Sequence, residues 1–579
     1  MEVLSTAGRL QQALKAAAGH LVSQMGPEGF WEGHLSSSAL STATAVSALA
    51  TAGGAGDRLL IDAGCRWLEG TQGIDGGWGD TPDSPANPST TLLVLSALTL
   101  AGRRGPAVDG ARACVDAASG GGPGGIAGTV LRIYGDDRTF AVPILVNCAL
   151  AGLVPWDRIP ALPFELAAFP RAFFKALRLQ VVSYALPALI AMGFLLHRRS
   201  PARALPRLLR ALAAPAALRK LERLQPESGG FLEAVPLTSF IAMSLAPVLG
   251  AAHPVAARCL RFLRGIVRDD GSWPIDSNLS VWLTTAAVSA LRQGDLLDGI
   301  DAARTLRWIA GCQERRVHPY TGAAPGAWAW THLSGGVPDA DDTAGAILVL
   351  AGSAQGEGAG AGVRWLLRLQ NRDGGWPTFC RGWGKLPFDR SSPDITAHAL
   401  RALRRWDPEE RDPGVRIAVR NGLSYLSGRQ EADGSWIPLW FGSQGHAGRT
   451  NPVYGTARVL RAYEDLGMDS PPAARGARYL LSARNPDGGW GGAAGVPSSV
   501  EETALAVAAL AGCGKLTGAA SAAAGGAGYL LRRMDDGSWE RPAPIGLYFA
   551  SLWYSERLYP VVWTVEALAR AAAPAGGGP

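Results

Sequence analysis

The feature of this sequence that most restricts its fold is a turn that keeps returning. Gly-rich stretches ending in Trp occur as GPEGFW31, GIDGGW78, RDDGSW273, QNRDGGW376, QEADGSW436, RNPDGGW490 and RMDDGSW539. Most precede a small-residue helical pattern in which Thr stands seven positions before Leu or Tyr. The patterns are TATAVSAL (42–49), TLLVLSAL (91–98), TTAAVSAL (284–291), TAGAILVL (343–350), TAHALRAL (396–403), TARVLRAY (456–463) and TALAVAAL (503–510). Asp-Gly and Gly-Gly supply the positive φ of a tight turn. The Trp then stacks over the end of a neighbouring helix, where its indole N–H meets a carbonyl that helix termination leaves free. Ala and Gly on the next helix allow close approach. Helix–turn–Trp–helix units in series form a solenoid, and enough of them close into a ring of inner and outer helices. The expected fold is all-α, made of (α/α) barrels. At 579 residues the chain exceeds one usual core, so two barrels are expected.

Composition narrows the function classes. The chain is 47% hydrophobic and 18% charged, and its net charge of +6 comes from scattered Arg. Basic runs interleaved with aromatics are missing, which disfavours nucleic acid and leaves a mild preference for anionic membrane surfaces. Seven cysteines stand singly, without CxxC spacing, so reduced thiols are expected and zinc is not. The first residues, MEVLSTAGRLQQALKAAAGH, read as an amphipathic helix rather than a signal peptide, giving an expectation of cytosolic origin. The run VVSYALPALIAMGFLL (181–196) is uncharged but contains Pro187 and falls short of the ~20 residues that span a bilayer. Lys175, Arg178, Arg198 and Arg199 flank it. It reads either as a buried core helix or as a monotopic patch dipping into one leaflet.

A toroid of helices is as good a scaffold as an enzyme, so function rests on what lines its hollow. In VPDADDTAG, Asp339, Asp341 and Asp342 crowd the position just before Thr343 of a repeat helix. Helix capping accounts for Glu501 and Glu502 in the equivalent register, but not for three aspartates, because like charges at short range force one to take up a proton. A carboxylic acid held neutral against an apolar wall is a Brønsted acid aimed at hydrocarbon. Calcium is the rival, yet an EF-hand loop needs DxDxDG and a later Glu, and here TAGAILVL follows. His398 lies four residues after Asp394 in SPDITAHALRAL, on the same helical face and in an equivalent repeat helix, which makes a meeting with Asp341 plausible. Trp282, Trp328, Trp330 and Phe379 sit near repeat starts, and the tail adds Tyr548, Phe549, Trp553, Tyr554 and Tyr559. About half of these are expected to be plain packing. The π-faces of the others stabilise cations without being nucleophilic, by roughly 0.5–2 kcal/mol each. An acid beside such faces suits alkene protonation and a carbocation cascade.

Taken together, the Gln…Gly-x-Trp repeats, VPDADDTA and SPDITAH resemble the squalene–hopene cyclase family of class II terpene cyclases, over most of the chain. The resemblance implies two α-barrel domains, one inserted in the other: 1–28 with 278–579 carrying the acid, and 29–277 inserted, with a membrane-docking segment at 174–199. It implies that Asp341 is the general acid, that Asp339 and Asp342 support it, and that His398, oriented by Asp394, hydrogen-bonds it. Trp282, Trp330 and Phe379 match cation-stabilising positions, and Tyr454 matches the Tyr of a YGT motif near the acid. Implied partners are squalene or a similar isoprenoid and the cytoplasmic face of a membrane, with homodimer formation open and with no metal or organic cofactor.

The departures from the family pattern lie away from the acid. Leu283 follows Trp282 where an acid is usual, GSQGHAGRTNP lacks a Trp-Gly, and GGWPTFCRGWGKLPFD replaces an aspartate-rich stretch. The tail GLYFASLWY departs most. Polyprene cyclisation is therefore a firmer expectation than hopene or hopanol as product. A C35 polyprene or a prenylated aromatic is an alternative substrate, and a non-catalytic lipid-binding toroid is the alternative outside enzymes.

Overall fold

The computed structural model describes residues 6–119, 124–135, 138–199, 204–548 and 552–573. Two rings of helices account for almost all of it. In the first ring the inner helices are Ser280–Gln293, Ala340–Leu350, Pro393–Trp406, Pro452–Asp465, Val500–Ala511 and Tyr559–Ala572, each packed on the next and the last on the first. The outer layer alternates with them and includes Thr6–Ser23, which packs on Tyr559–Ala572. The second ring has inner helices Ala39–Ala52, Pro88–Leu100, Arg138–Leu150, Val181–Arg199 and Val235–Leu249.

Sequence decides which helices go inside. Pro88–Leu100 (PSTTLLVLSALTL) is apolar or small all round, and ten of its side chains are buried. Outer helices such as Arg58–Gly70 bury a single face, Gly64, Cys65 and Leu68 among them. A helix without a polar face has to be surrounded, whereas an amphipathic one can face water.

The repeat unit works through up to five hydrogen bonds, not through stacking alone. The indole N–H of Trp78, Trp273, Trp376, Trp436 and Trp490 donates at 2.7–2.9 Å to a Leu carbonyl ten residues earlier, in the last turn of the preceding outer helix. The backbone N–H of the same Trp donates to a Thr hydroxyl of an inner helix, for instance Trp376 to Thr396 and Trp490 to Thr503. Where a Gln stands six residues before the Trp, it reaches two carbonyls: Gln370 donates to Gly374 and to Ala418 of the next outer helix. The turn Asp accepts from the residue two ahead, as Asp373 does from Gly375. Gly374 has φ +89°, and a Cβ there would stand 2.3 Å from the Asn421 carbonyl, so no other residue fits. Each buried indole removes about 150–250 Å² from water, roughly 4–6 kcal/mol before entropy. The turn at Trp539 departs from this pattern and instead meets His20 edge-on, with centroids 5.3 Å apart.

Two of these bonds reveal how the chain passes between rings. Trp31 donates its backbone N–H to Thr284, and Trp273 donates to Thr42, so each turn serves a helix more than 200 residues away. The short antiparallel pair Ser37–Ser38 with Trp273–Pro274 clasps the crossing.

The two readings of one segment can be told apart here. The run 181–196 is an inner helix of the second ring with Tyr184, Leu186, Ile190, Met192, Phe194 and Leu195 buried, so the core-helix reading describes it. The exposed apolar side chains lie to either side instead, at Leu166, Phe169, Phe173 and Leu177 and at Leu208, Leu209 and Leu212. Among the described residues no helix is long and apolar enough to cross a membrane.

Candidate active site

Asp339 caps the helix Ala340–Leu350, its Oδ1 accepting the Asp342 N–H at 2.8 Å. That fixes the next three residues at the start of the helix, with the Ala340 N–H bound to the Thr378 carbonyl at 2.8 Å. One turn of helix then splits the aspartates by direction. All three border one cavity, but Asp339 and Asp342 are buried, while Asp341 is more open and puts Oδ1 2.6 Å from His398 Nδ1. Gly345 lets this helix pack closely on the neighbouring inner helix, since a Cβ there would meet Thr285 Oγ1 at 2.8 Å.

The electrostatics follow the burial. Asp339 is pushed up to about 7, chiefly because burial penalises its charge, with the Asp341 charge adding and hydrogen bonds from Asp342 opposing. Asp342 is raised well above the carboxylate range by burial, then by Asp339. Burial and mutual repulsion thus favour a proton on this pair, on Asp342 first, and Asp339 Oδ2 and Asp342 Oδ1 have no hydrogen-bond partner among the described residues. His398 is lowered by burial, only partly offset by Asp341, so its imidazole favours the neutral form. The crowding does trap a proton, but on the pair behind Asp341.

Asp394 does not orient His398 in the way expected. It sits in the first turn of Pro393–Trp406 and folds back to accept the Ser392 hydroxyl. Burial and the nearby Asp341 charge raise it to about 6. What frames the imidazole is Trp282, edge-on at 6.0 Å between ring centroids.

A cavity of about 600 Å³ opens from Asp341, walled by Trp282, Trp330, Phe379, Trp440, Phe441, Tyr548, Tyr554 and Tyr559. Trp330 meets Phe379 edge-on at 6.2 Å. Three expected wall residues are elsewhere. Trp328 is a repeat Trp: it is fully buried, its indole donates to Ile309 and its backbone to Thr343. Tyr454 lies behind the wall, stacked at 4.0 Å on Phe441. Trp553 is tied by its backbone to Asp80 and faces neither this cavity nor the next. Phe549 is outside the described residues. Phe441 and Trp440, in SWIPLWFG, went unread because no repeat register marks them; Trp440 donates to Thr378 at 2.9 Å.

Tyr548, on the hairpin strand Gly546–Tyr548, also lines a second, almost wholly apolar cavity of about 870 Å³, with Leu40, Leu93, Met192 and Phe240 from the second ring. Its hydroxyl donates to buried Asp276 at 2.8 Å. An acid facing aromatic walls and a long apolar space is equipped to protonate hydrocarbon and to shield the cations that result.

The squalene–hopene cyclase C-terminal domain profile matches residues 279–573, and the N-terminal domain profile matches residues 14–228. The chain belongs to the squalene–hopene cyclase family. Squalene–hopene cyclase of Bradyrhizobium diazoefficiens is 24% identical over 581 residues, covering 84% of this chain and 83% of that one. Drimenyl diphosphate synthase of Streptomyces showdoensis is 30% identical over 266 residues, covering 45% of each. Two further relatives are much longer, and this chain spans 38% of their length. In fold the chain is similar to ent-copalyl diphosphate synthase from Streptomyces platensis, with a TM-score of 0.55 and 20% identity over 97% of this chain and 99% of that one. The double α-barrel expectation is met.

Proposed function

We propose that this cyclase protonates the terminal alkene of a linear isoprenoid from Asp341 and closes rings by carbocation cascade. The observation that carries the reading is the 2.6 Å pairing of Asp341 with His398 at the head of an aromatic-walled cavity. In the reactive form the Asp341 O–H proton goes to the alkene carbon, and His398 Nδ1–H donates to the other carboxyl oxygen. That bond strengthens as charge develops on the carboxylate, so it favours the transition state over the ground state. The tertiary cation is then attacked by the next alkene, forming a carbon–carbon bond and moving the charge along the chain until the last cation loses a proton or captures water. Trp282, Trp330, Phe379 and Tyr554 present faces or edges to that path, each worth about 0.5–2 kcal/mol where a face meets the cation. With a proton held on Asp342 by burial, the Asp339–Asp342 pair carries at most one negative charge to compete for it.

Squalene is the first substrate of this reading, supported by the relative that spans most of both chains. A shorter isoprenoid is the second, supported by the drimenyl diphosphate synthase relative. We place the enzyme on the cytoplasmic face of a membrane, a reading supported by exposed Phe169, Phe173 and Leu212. Product analysis by mass spectrometry after incubation with squalene, a C35 polyprene, a prenylated aromatic and shorter isoprenoids tests the reading. Cyclic product from at least one is expected; recovery of every substrate unchanged by an otherwise folded protein refutes it.

A further inference from the structure

A cleft beside the cavity carries charge that hydrocarbon chemistry does not use. Arg171, Lys175, Arg368 and Arg381 line about 1520 Å³ of open space, and no carboxylate lines it with them. Arg171 donates to the carbonyls of Pro319 and Tyr320, and Arg381 to those of Leu369 and Gln370. Among the described residues none of the four cations forms an ion pair. Burial lowers Arg171, and burial together with Arg372 lowers Arg381, with no acid opposing either shift. Lys175, Arg368 and Arg381 are exposed and Arg171 is half-buried, so the cleft is open to water and presents four positive charges that no lining carboxylate offsets.

The cleft adjoins the reacting end. Phe379 lines both the cleft and the acid cavity, and Tyr184 lines both the cleft and the apolar cavity. The residue before Phe379, Thr378, binds the N–H of Ala340, between Asp339 and Asp341. A short chain folded for ring closure would therefore hold one end at Asp341 and the other among the cations.

We propose that Arg171, Lys175, Arg368 and Arg381 bind the phosphate-bearing head of a short isoprenoid whose chain passes Phe379 to reach Asp341. The proposal rests on the cyclase reading above and narrows its substrate class. Guanidinium groups pair with phosphate oxygens in a planar fork, and four cations match a head of several negative charges better than a lone carboxylate. Anchoring the head also selects which end of the substrate meets the acid, an advantage squalene, hydrocarbon at both ends, cannot use. No bond to the head breaks: the proton from Asp341 enters at the far alkene, and the carbon–oxygen bond to the phosphate persists into the product.

The test compares farnesyl diphosphate, geranylgeranyl diphosphate, farnesol and squalene with the full chain. Cyclic product that retains its diphosphate is expected from at least one diphosphate; absence of both turnover and binding of either diphosphate overturns the proposal. The double variant Lys175→Ala, Arg368→Ala removes two cations that make no hydrogen bond to a described residue. It is expected to raise KM for the diphosphate by about tenfold or more, with a smaller change in kcat and no such penalty for farnesol. An unchanged KM, or an equal loss with farnesol, overturns the assignment. Vesicles of phosphatidylcholine with and without phosphatidylglycerol form the second arm. If the double variant loses only the anionic vesicles and keeps its diphosphate KM, the cations serve lipid headgroups and the proposal fails. Calorimetry of diphosphate binding to Asp341→Asn separates the two levels: turnover in that variant sinks the acid reading, whereas binding reports on the head-group site alone.

Discussion

Two helix starts in the first ring occupy the same register and do different things. Asp339 and Ser499 are the N-caps, accepting the N–H of Asp342 and of Glu502. Asp341 therefore corresponds to Glu501, and Asp342 to Glu502. Both sites are buried, and burial raises Asp339 and Glu502 alike to about 7. Yet Asp341 faces a cavity and His398, whereas Glu501 accepts the backbone N–H of Ala543 and Glu502 accepts from Asn451. A raised pKa is thus a consequence of the fold at either site. What distinguishes a candidate acid is the open space in front of one carboxyl and the imidazole beside it.

Substitution at the corresponding positions should break the symmetry most visibly. Asp341→Asn is expected to lower turnover by about 10²–10⁴-fold, as loss of a general acid does, with the melting temperature little changed. Glu501→Gln should stay within a few-fold of wild type, because an amide mimics a carboxyl already neutral. If product assays show the two variants equally impaired, the contrast is wrong. His398→Ala should fall between them in kcat.

Stability against pH sharpens the same comparison. Glu501 is raised from 4.5 to about 8 by burial and then by Glu502, so the folded chain holds protons that the unfolded chain has released. That contribution is present in full below 4.5 and is lost as pH rises through about 8. Denaturant midpoints should therefore fall over this window, and Glu501→Gln should flatten part of the decline, by roughly a few kcal/mol at most. The smallest effect belongs to Trp328→Phe, which removes one indole hydrogen bond. It should cost about 1 kcal/mol and leave the product pattern intact, while Trp330→Phe, on the cavity wall, should alter that pattern.

Trp328 also shows where reading the sequence fell short. Its indole partner is 19 residues back, against ten in the regular turns, because the loop between Gln313 and Gly326 is longer. The stretched turn hid a repeat Trp, which then looked available for the site. Tyr454 stands one layer too deep for a similar reason: a motif places it near the acid, but only packing reveals Phe441 between them. Asp394 has the right helical face, but as a first-turn residue it satisfies Ser392 instead.

The sequence by itself determined the repeat, hence the all-α double ring, and it marked Asp341 and His398 as a pair. Those features are local or periodic: a Gly-dependent turn, a Thr hydroxyl at a fixed register, carboxylates at a helix start. Tertiary structure alone decided which aspartate is left open beside the imidazole, which aromatic rings form the cavity wall and where four unpaired cations gather. These depend on side-chain direction and on contacts between segments more than 100 residues apart, such as Phe379 with Tyr184, which no local pattern encodes.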